Sequence, residues 1–246
     1  MDEVIRQFFD WDVVRPYLPD LARGFWVTIQ LAMLAEAIAL ALGLVLAVMR
    51  RLTLPGRARP ARAGAAIVRG LSIAYINFFR GVPALLVIIT MNASFPVLPI
   101  PGINRLSEFQ IGFLGLGLVY AAYLAEVYRA GIESVERGQT EAARSLGMTD
   151  GQAMRLIVLP QAVRRMLPPL MNDFIALSKD TALIGVIAVS EVVTVARDAQ
   201  SLDFNSTPLT AAAIFYLIFT LPLIWVLDRV IARQERRAGR GEIVAP

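Results

Sequence analysis

The sequence contains no cysteine and no histidine. Their absence removes disulfides, thiol nucleophiles, imidazole bases and the usual zinc ligand sets. Lysine is almost missing as well: of 24 basic residues only Lys179 is a lysine, and the other 23 are arginine. No G-x-x-x-x-G-K-[ST] run occurs, and Lys179 does not follow a glycine-rich loop. A phosphate cradle of that type therefore cannot come from this chain, so any nucleotide chemistry belongs to another polypeptide. Residues 1–23 mix acids with bases, lack a continuous apolar core and show no cleavage pattern. No secretory signal is read there, and the first span is expected to stay as an uncleaved anchor.

What the chain does have is apolar length. Hydrophobic side chains make up 57% of 246 residues and gather in long runs, which predicts one all-α, polytopic membrane domain. The formal charge of +4 resides in arginines beside those runs. There they read as topology signals and lipid-headgroup contacts, not nucleic-acid contacts.

Five spans are expected, at about 24–49, 81–98, 109–128, 176–196 and 209–227. Before them, residues 1–23 place Phe8, Phe9, Trp11 and Tyr17 among charges, with Pro16 and Pro19 limiting regular helix. Such a mixture suits the headgroup layer outside the membrane, a solvated disordered tail being the alternative. Six arginines between Arg50 and Arg69 mark a cytoplasmic connection, and 64–80 reads as the amphipathic start of span 2, with Pro83 expected to kink it or begin a new segment. Gly112, Gly115 and Gly117 permit close helix approach in span 3, and Glu126 can pair with Arg129 near its end. The 197–208 stretch reads as a polar loop. Residues 24–228 form the membrane domain and 229–246 a basic cytoplasmic tail. The arginine distribution puts the N-terminus outside and the C-terminus inside.

Thr90, Asn92 and Ser94 place polar groups deep in span 2, and Glu36, Asn92 and Glu191 are the candidate pathway residues on depth and polarity. A carboxylate at that depth costs a few kcal/mol unless it faces protein, water or a cation, so it is either hydrogen-bonded between helices or lines a pathway. Glu191 is placed at depth by its distance from Lys179, about 18 Å along a continuous helix. Lys179 and Asp180 are placed at the cytoplasmic margin, as an adjacent solvated pair or as a gate.

The region 139–168 is too charged to cross. Within it, Ala142 and Leu146 share a helical face, Gly147 supplies a left-handed stop, and Thr149 with Gln152 makes a capping box for a second helix. Ala153, Leu156 and Ile157 share its face, Pro160 discourages continuation, and Pro168-Pro169 is expected to end the next short helix. The product is a helix-turn-helix knob on the cytoplasmic side.

Its spacing, Glu141-Ala142-Ala143, three residues, Gly147, nine residues, Ile157, one residue, Leu159-Pro160, resembles the EAA motif of bacterial ABC importer permeases. The FFRGVP turn at 78–83, AAYLAEVYRAGI before the knob and NDFIALSKDTALIGVIAVSE at 172–191 resemble the polar amino acid uptake subfamily. The resemblance implies a type I importer fold in the bacterial inner membrane, with Glu141, Ala142, Ala143, Gly147, Ile157, Leu159 and Pro160 as ATPase-coupling residues. It implies a cytoplasmic ABC ATPase dimer that uses ATP and Mg, a second permease subunit, identical or related, and an extracytoplasmic solute-binding protein. No cofactor, metal or catalytic residue is expected on this chain. Glu36 departs from a position that is commonly small or apolar in that family, which would bias the pathway toward a basic or zwitterionic solute. The alternative reading is a secondary transporter or channel with Glu36 and Glu191 as ion sites.

Overall fold

The first long apolar run folds as one uninterrupted helix, α3 (Leu18–Arg50), in the computed structural model, which describes residues 1–52 and 59–242. Its buried residues Leu21, Gly24, Thr28, Leu31, Ala35, Ala39, Gly43 and Leu46 recur every three or four positions, while Trp26, Met33, Leu44 and Val48 are exposed. Small residues inside and large apolar residues outside suit a helix packed on protein and bathed in lipid. α6 (Glu108–Glu133), opened by a Ser107–Gln110 capping box, lies along that inner face. A Cβ on Gly43 would sit 3.0 Å from the Ala121 carbonyl oxygen, and one on Gly117 would sit 2.9 Å from Ile38 Cβ. Gly115 faces Ile88, Gly112 faces Ile184 and Gly131 faces Met166, so all four glycines of this helix serve as contact points for neighbouring segments. Gly117→Val is expected to force α3 and α6 apart at a cost of about 1–3 kcal/mol. A thermal unfolding midpoint in detergent equal to that of the unaltered chain would contradict this.

Between these two helices come α4 (Arg59–Gly81) and α5 (Ala84–Ser94), bent by 104° at the Gly81–Pro83 break. Pro83 has no N–H to continue a helix, and its ψ of 136° is extended. α4 is pinned across its neighbours: Ser72 Oγ donates to the Leu46 carbonyl at 2.8 Å and Tyr75 OH to the Leu118 carbonyl at 2.9 Å. α5 then starts beside Val119 and Tyr120, about halfway along α6, and runs toward the end where α6 begins. The second expected span is thus a short helix of 11 residues whose N-terminus lies beside the middle of α6.

The knob consists of α7 (Arg137–Ser145) and α8 (Asp150–Ala153). Beyond it the chain departs from expectation. Pro160 does not stop the helix: a π-helical turn at Met154–Val158 leads straight into α9 (Leu159–Asp180), with Pro160 in its first turn. Pro168 and Pro169 do not end a helix either but lie inside α9. Pro168 frees the carbonyl of Arg164, and Gln234 Nε2 donates to that oxygen at 2.6 Å. An outside donor supplies what the proline withholds.

The expected span at 176–196 is not one helix. α9 passes into a 3-10 segment, Thr181–Ile187, closed by Ala188 in the left-handed region at φ 64°. A new helix, α10 (Val192–Asp203), follows, so most of the expected polar loop at 197–208 is helical. α11 (Thr207–Glu242) carries Pro222 internally and continues through the basic tail; Ile214, Leu217, Ile218, Leu221 and Trp225 on it are exposed. The N-terminal segment forms α1 (Asp2–Phe8), α2 (Trp11–Val14) and a 3-10 turn, Arg15–Tyr17, leading into α3. It is tied to the start of α11, with Asn205 Nδ2 donating to the Arg6 carbonyl at 2.9 Å and Asp10 N–H to Thr207 Oγ1 at 3.0 Å.

Among the described residues, the helical run ending at Arg50, α6 and α11 are each long and apolar enough to cross a bilayer, and the bent α4–α5 pair would make a fourth crossing. Residues 53–58 of the arginine-rich connection, and 243–246 of the basic tail, lie outside the described residues.

Candidate functional site

The knob is built for rigidity. Gly147 has φ 80°, a conformation costly for a residue with a Cβ, and Met148 N–H reaches the Ala143 carbonyl at 3.1 Å while Gly147 N–H reaches Arg144 at 2.9 Å. These two bonds make the Schellman closure of α7. Thr149 and Gln152 form the reciprocal capping box of α8, and Arg144 Nε donates to Asp150 Oδ1 at 2.8 Å across the turn. Ala143, Ala153 and Val158 are buried. Val158 packs with Val135, Ala162 and Met166, which fasten the knob to the end of α6 and the start of α9. Arg165 adds a hydrogen bond to the Ser134 carbonyl.

The expected coupling residues divide by exposure. Glu141, Ala142, Gly147, Leu159 and Pro160 are exposed, Ile157 is half-buried, and Ala143 is buried as packing beneath the surface. Leu146 stands out at the tip: it is a large apolar side chain and 81% exposed.

The expected pathway residues do not come together. Glu191 is fully buried and caps α10: its carboxylate accepts from Val193 N–H at 2.9 Å and from Thr194 N–H at 2.7 Å and Oγ1 at 2.9 Å. Because the chain breaks at Ala188, the continuous-helix distance from Lys179 does not apply. Asn92 is half-buried on α5, two turns past its start. Glu36 is 9% exposed on α3, and its Oε2 has no hydrogen-bond partner.

Lys179 and Asp180 are not at the knob end. They close α9 about 30 Å from Leu159 at helical rise. Lys179 is exposed, whereas Asp180 Oδ2 accepts from Tyr120 OH at 2.8 Å, so the two neighbours point apart.

Asp180 instead helps to line a cavity of about 590 Å³ at the α4–α5 break. One wall is Arg80 and the chain from Gly81 to Leu85, including the first residues of α5. The opposite wall carries Tyr120, Tyr123, Asp173 and Asp180. Unpaired N–H groups and positive dipole at the start of α5 face carboxylates across the space, so the cavity is bipolar. Sequence reasoning passed over Asp173, Tyr120, Tyr123 and Arg80 as site residues. The available signal was the seven-residue spacing of Asp173 and Asp180, which places them on one face of α9 two turns apart.

A separate ionic cluster stands between this cavity and the knob. Glu126 accepts from Arg129 Nε at 2.8 Å and from Arg50, with Arg80 3.5 Å away, while Arg129 also pairs with Glu133. It joins α3, α4 and α6, a wider arrangement than the i, i+3 pair expected.

Comparison with known proteins gives a consistent result. The probable glutamine ABC transporter permease protein GlnM of Bacillus subtilis (strain 168) is 37% identical over 214 residues, covering 87% of this chain and 92% of that protein. The glutamine transport system permease protein GlnP of Escherichia coli (strain K12) is 31% identical over 230 residues, covering 92% and 98%. The solved structure described as an amino acid ABC transporter with histidines superposes with a TM-score of 0.77 at 30% identity, covering 91% of this chain and 98% of that one. An inward-facing MetNI methionine ABC transporter shares the fold, with a TM-score of 0.71 at 21% identity over 89% of this chain and 97% of that one. Residues 61–239 match the family model described as binding-protein-dependent transport system inner membrane component. With knob and bipolar cavity inside that matched region, the chain belongs to the family of binding-protein-dependent transport system inner membrane components.

Proposed function

We propose that this chain is the membrane permease subunit of an ATP-driven importer for amino acids, working in the inner membrane beside a separate ABC ATPase dimer, a second permease and an extracytoplasmic binding protein. The observation that carries the reading is the exposed, doubly capped knob fused to the ends of α6 and α9. An ATPase that grips the tip and closes would move those helices as one body, because packed helices shift between discrete arrangements and do not bend gradually. Glu141, Ala142 and Gly147 then form the gripped surface, with Ile157, Leu159 and Pro160 setting its angle to α9. ATP and Mg are used on the partner, and no cofactor is assigned to this chain.

In this reading five crossings are made by α3, the α4–α5 pair, α6, α9 with its 3-10 extension, and α11. The N-terminus is outside, with α1 and α2 in the headgroup layer, and the C-terminus is inside with the knob. The substrate passes the α4–α5 break. An amino acid fits that cavity's polarity: its carboxylate toward Arg80 and the start of α5, its ammonium toward Asp173 and Asp180. Glu191, given over to capping α10, serves the pathway only by fixing that helix, and the gate role passes from Lys179 to Asp180.

Reconstitution with the ATPase and candidate binding proteins tests the proposal. ATP hydrolysis is expected to rise when a binding protein loaded with its amino acid is added outside, and to stay basal with Gly147→Pro. Recovery of no ATPase from gently solubilised membranes, together with uptake driven by an ion gradient alone, would replace the importer with an ion-coupled transporter.

A further inference from the structure

The two walls of the cavity at the α4–α5 break are unequal in charge. Asp173 and Asp180 line it from α9, and Glu36 stands on α3, which packs against α9. Glu36 is more than nine-tenths buried, and its Oε2 has no hydrogen-bond partner. None of the three carboxylates has an ion-pair partner among the described residues. Against them stand Arg80, whose guanidinium is already 3.5 Å from Glu126, and the partial charge at the start of α5. Lys179 is exposed and makes no ion pair with its neighbour Asp180.

A buried carboxylate with an unpaired oxygen costs free energy and persists only where something compensates it at some stage of the working cycle. The zwitterion of a neutral amino acid brings one positive and one negative charge, which balances one wall against the other and leaves carboxylate in excess. A solute with a second positive charge balances that excess. Resting on the importer reading above, we propose that the cavity selects amino acids with a cationic side chain, with Asp173 as the direct contact and Glu36 on α3 as the residue that deepens the preference. Tyr120, donating to Asp180, and Tyr123 supply apolar faces beside the carboxylates along which an aliphatic stem or a guanidinium can lie. The excess charge also disfavours glutamate and aspartate, whose side-chain carboxylates would meet Asp173 or Asp180 with no free cation beside them.

The test is direct binding to the purified permease–ATPase complex in detergent, without binding protein, using radiolabelled L-arginine, L-glutamine and L-glutamate. Arginine is expected to bind at least tenfold more tightly than glutamine, with glutamate weakest. Asp173→Asn should lower arginine affinity tenfold or more while leaving glutamine within threefold, and Glu36→Gln should act in the same direction by a smaller factor. Asp173→Glu, which keeps the charge, should restore most of the arginine preference. Glutamine or glutamate binding as tightly as arginine in the unaltered complex overturns the proposal, as does absence of binding by all three. Arginine binding indifferent to both neutralising substitutions overturns it as well. If hydrolysis still answers to a loaded binding protein while any of these results is obtained, the importer reading stands and the charge preference alone falls.

Discussion

Leu146→Asp is expected to abolish recovery of the ATPase with the permease while leaving the permease itself folded. At 81% exposure Leu146 contributes almost nothing to the fold, and surface substitutions of this kind usually stay within about 0.5 kcal/mol of neutral. A large apolar side chain held at the tip of a Schellman turn is therefore available to a partner. Apolar anchors at the centre of an interface contribute about 2 kcal/mol or more, roughly thirtyfold in affinity, and a carboxylate there adds its own desolvation cost. Affinity capture from mild detergent and the unfolding midpoint, measured on the same sample, separate docking from stability. Full ATPase recovery with unchanged transport would mean that the tip is not the docking surface.

Glu126→Ala is expected to be the most destabilising single substitution among the charged residues of the helical bundle. Its side chain is 17% exposed and receives Arg50, Arg129 and, at longer range, Arg80. Removing it leaves three guanidiniums facing each other, with Glu133 holding only Arg129. Breaking a buried pair by deleting one partner costs about 3–5 kcal/mol. The partial exposure of the arginines, from 27% for Arg50 to 47% for Arg80, puts the expected loss at the lower end, about 3 kcal/mol. A fall in the unfolding midpoint, partly recovered by adding Arg50→Met, would show that the cost is unpaired charge and not lost volume. A midpoint that does not move would assign the cluster to the surface.

What the sequence made legible follows a physical division. Local signals translated well. Gly147 did become the left-handed stop and Thr149 with Gln152 the capping box, because both depend on atoms within a few residues. Gly112, Gly115 and Gly117 marked close packing, since apolar spans have few other ways to bring backbones together. Pro83 begins a new segment as expected, whereas the stop expected at Pro168-Pro169 failed for a tertiary reason. Pro168 ends a helix only if its orphaned carbonyl stays unpaired, and the donor that rescues it, Gln234, is 70 residues away. Residue count does not give the depth of Glu191: Ala188 breaks the helical path from Lys179 and returns that carboxylate to a backbone capping role. Asp173 was hidden for the opposite reason. It is ordinary in its own neighbourhood and acquires meaning from the start of α5, with which it lines one cavity.

The π-helical turn at Met154–Val158 carries one residue more than a regular turn would need. Each residue of a regular helix advances the azimuth by about 100°. That surplus residue therefore acts as a phase-setter, fixing which side of α9 looks into the bundle when the tip faces away from the membrane. Asp173 and Asp180 share one side of α9, so the orientation of both carboxylates is timed against the tip of the knob by a single position.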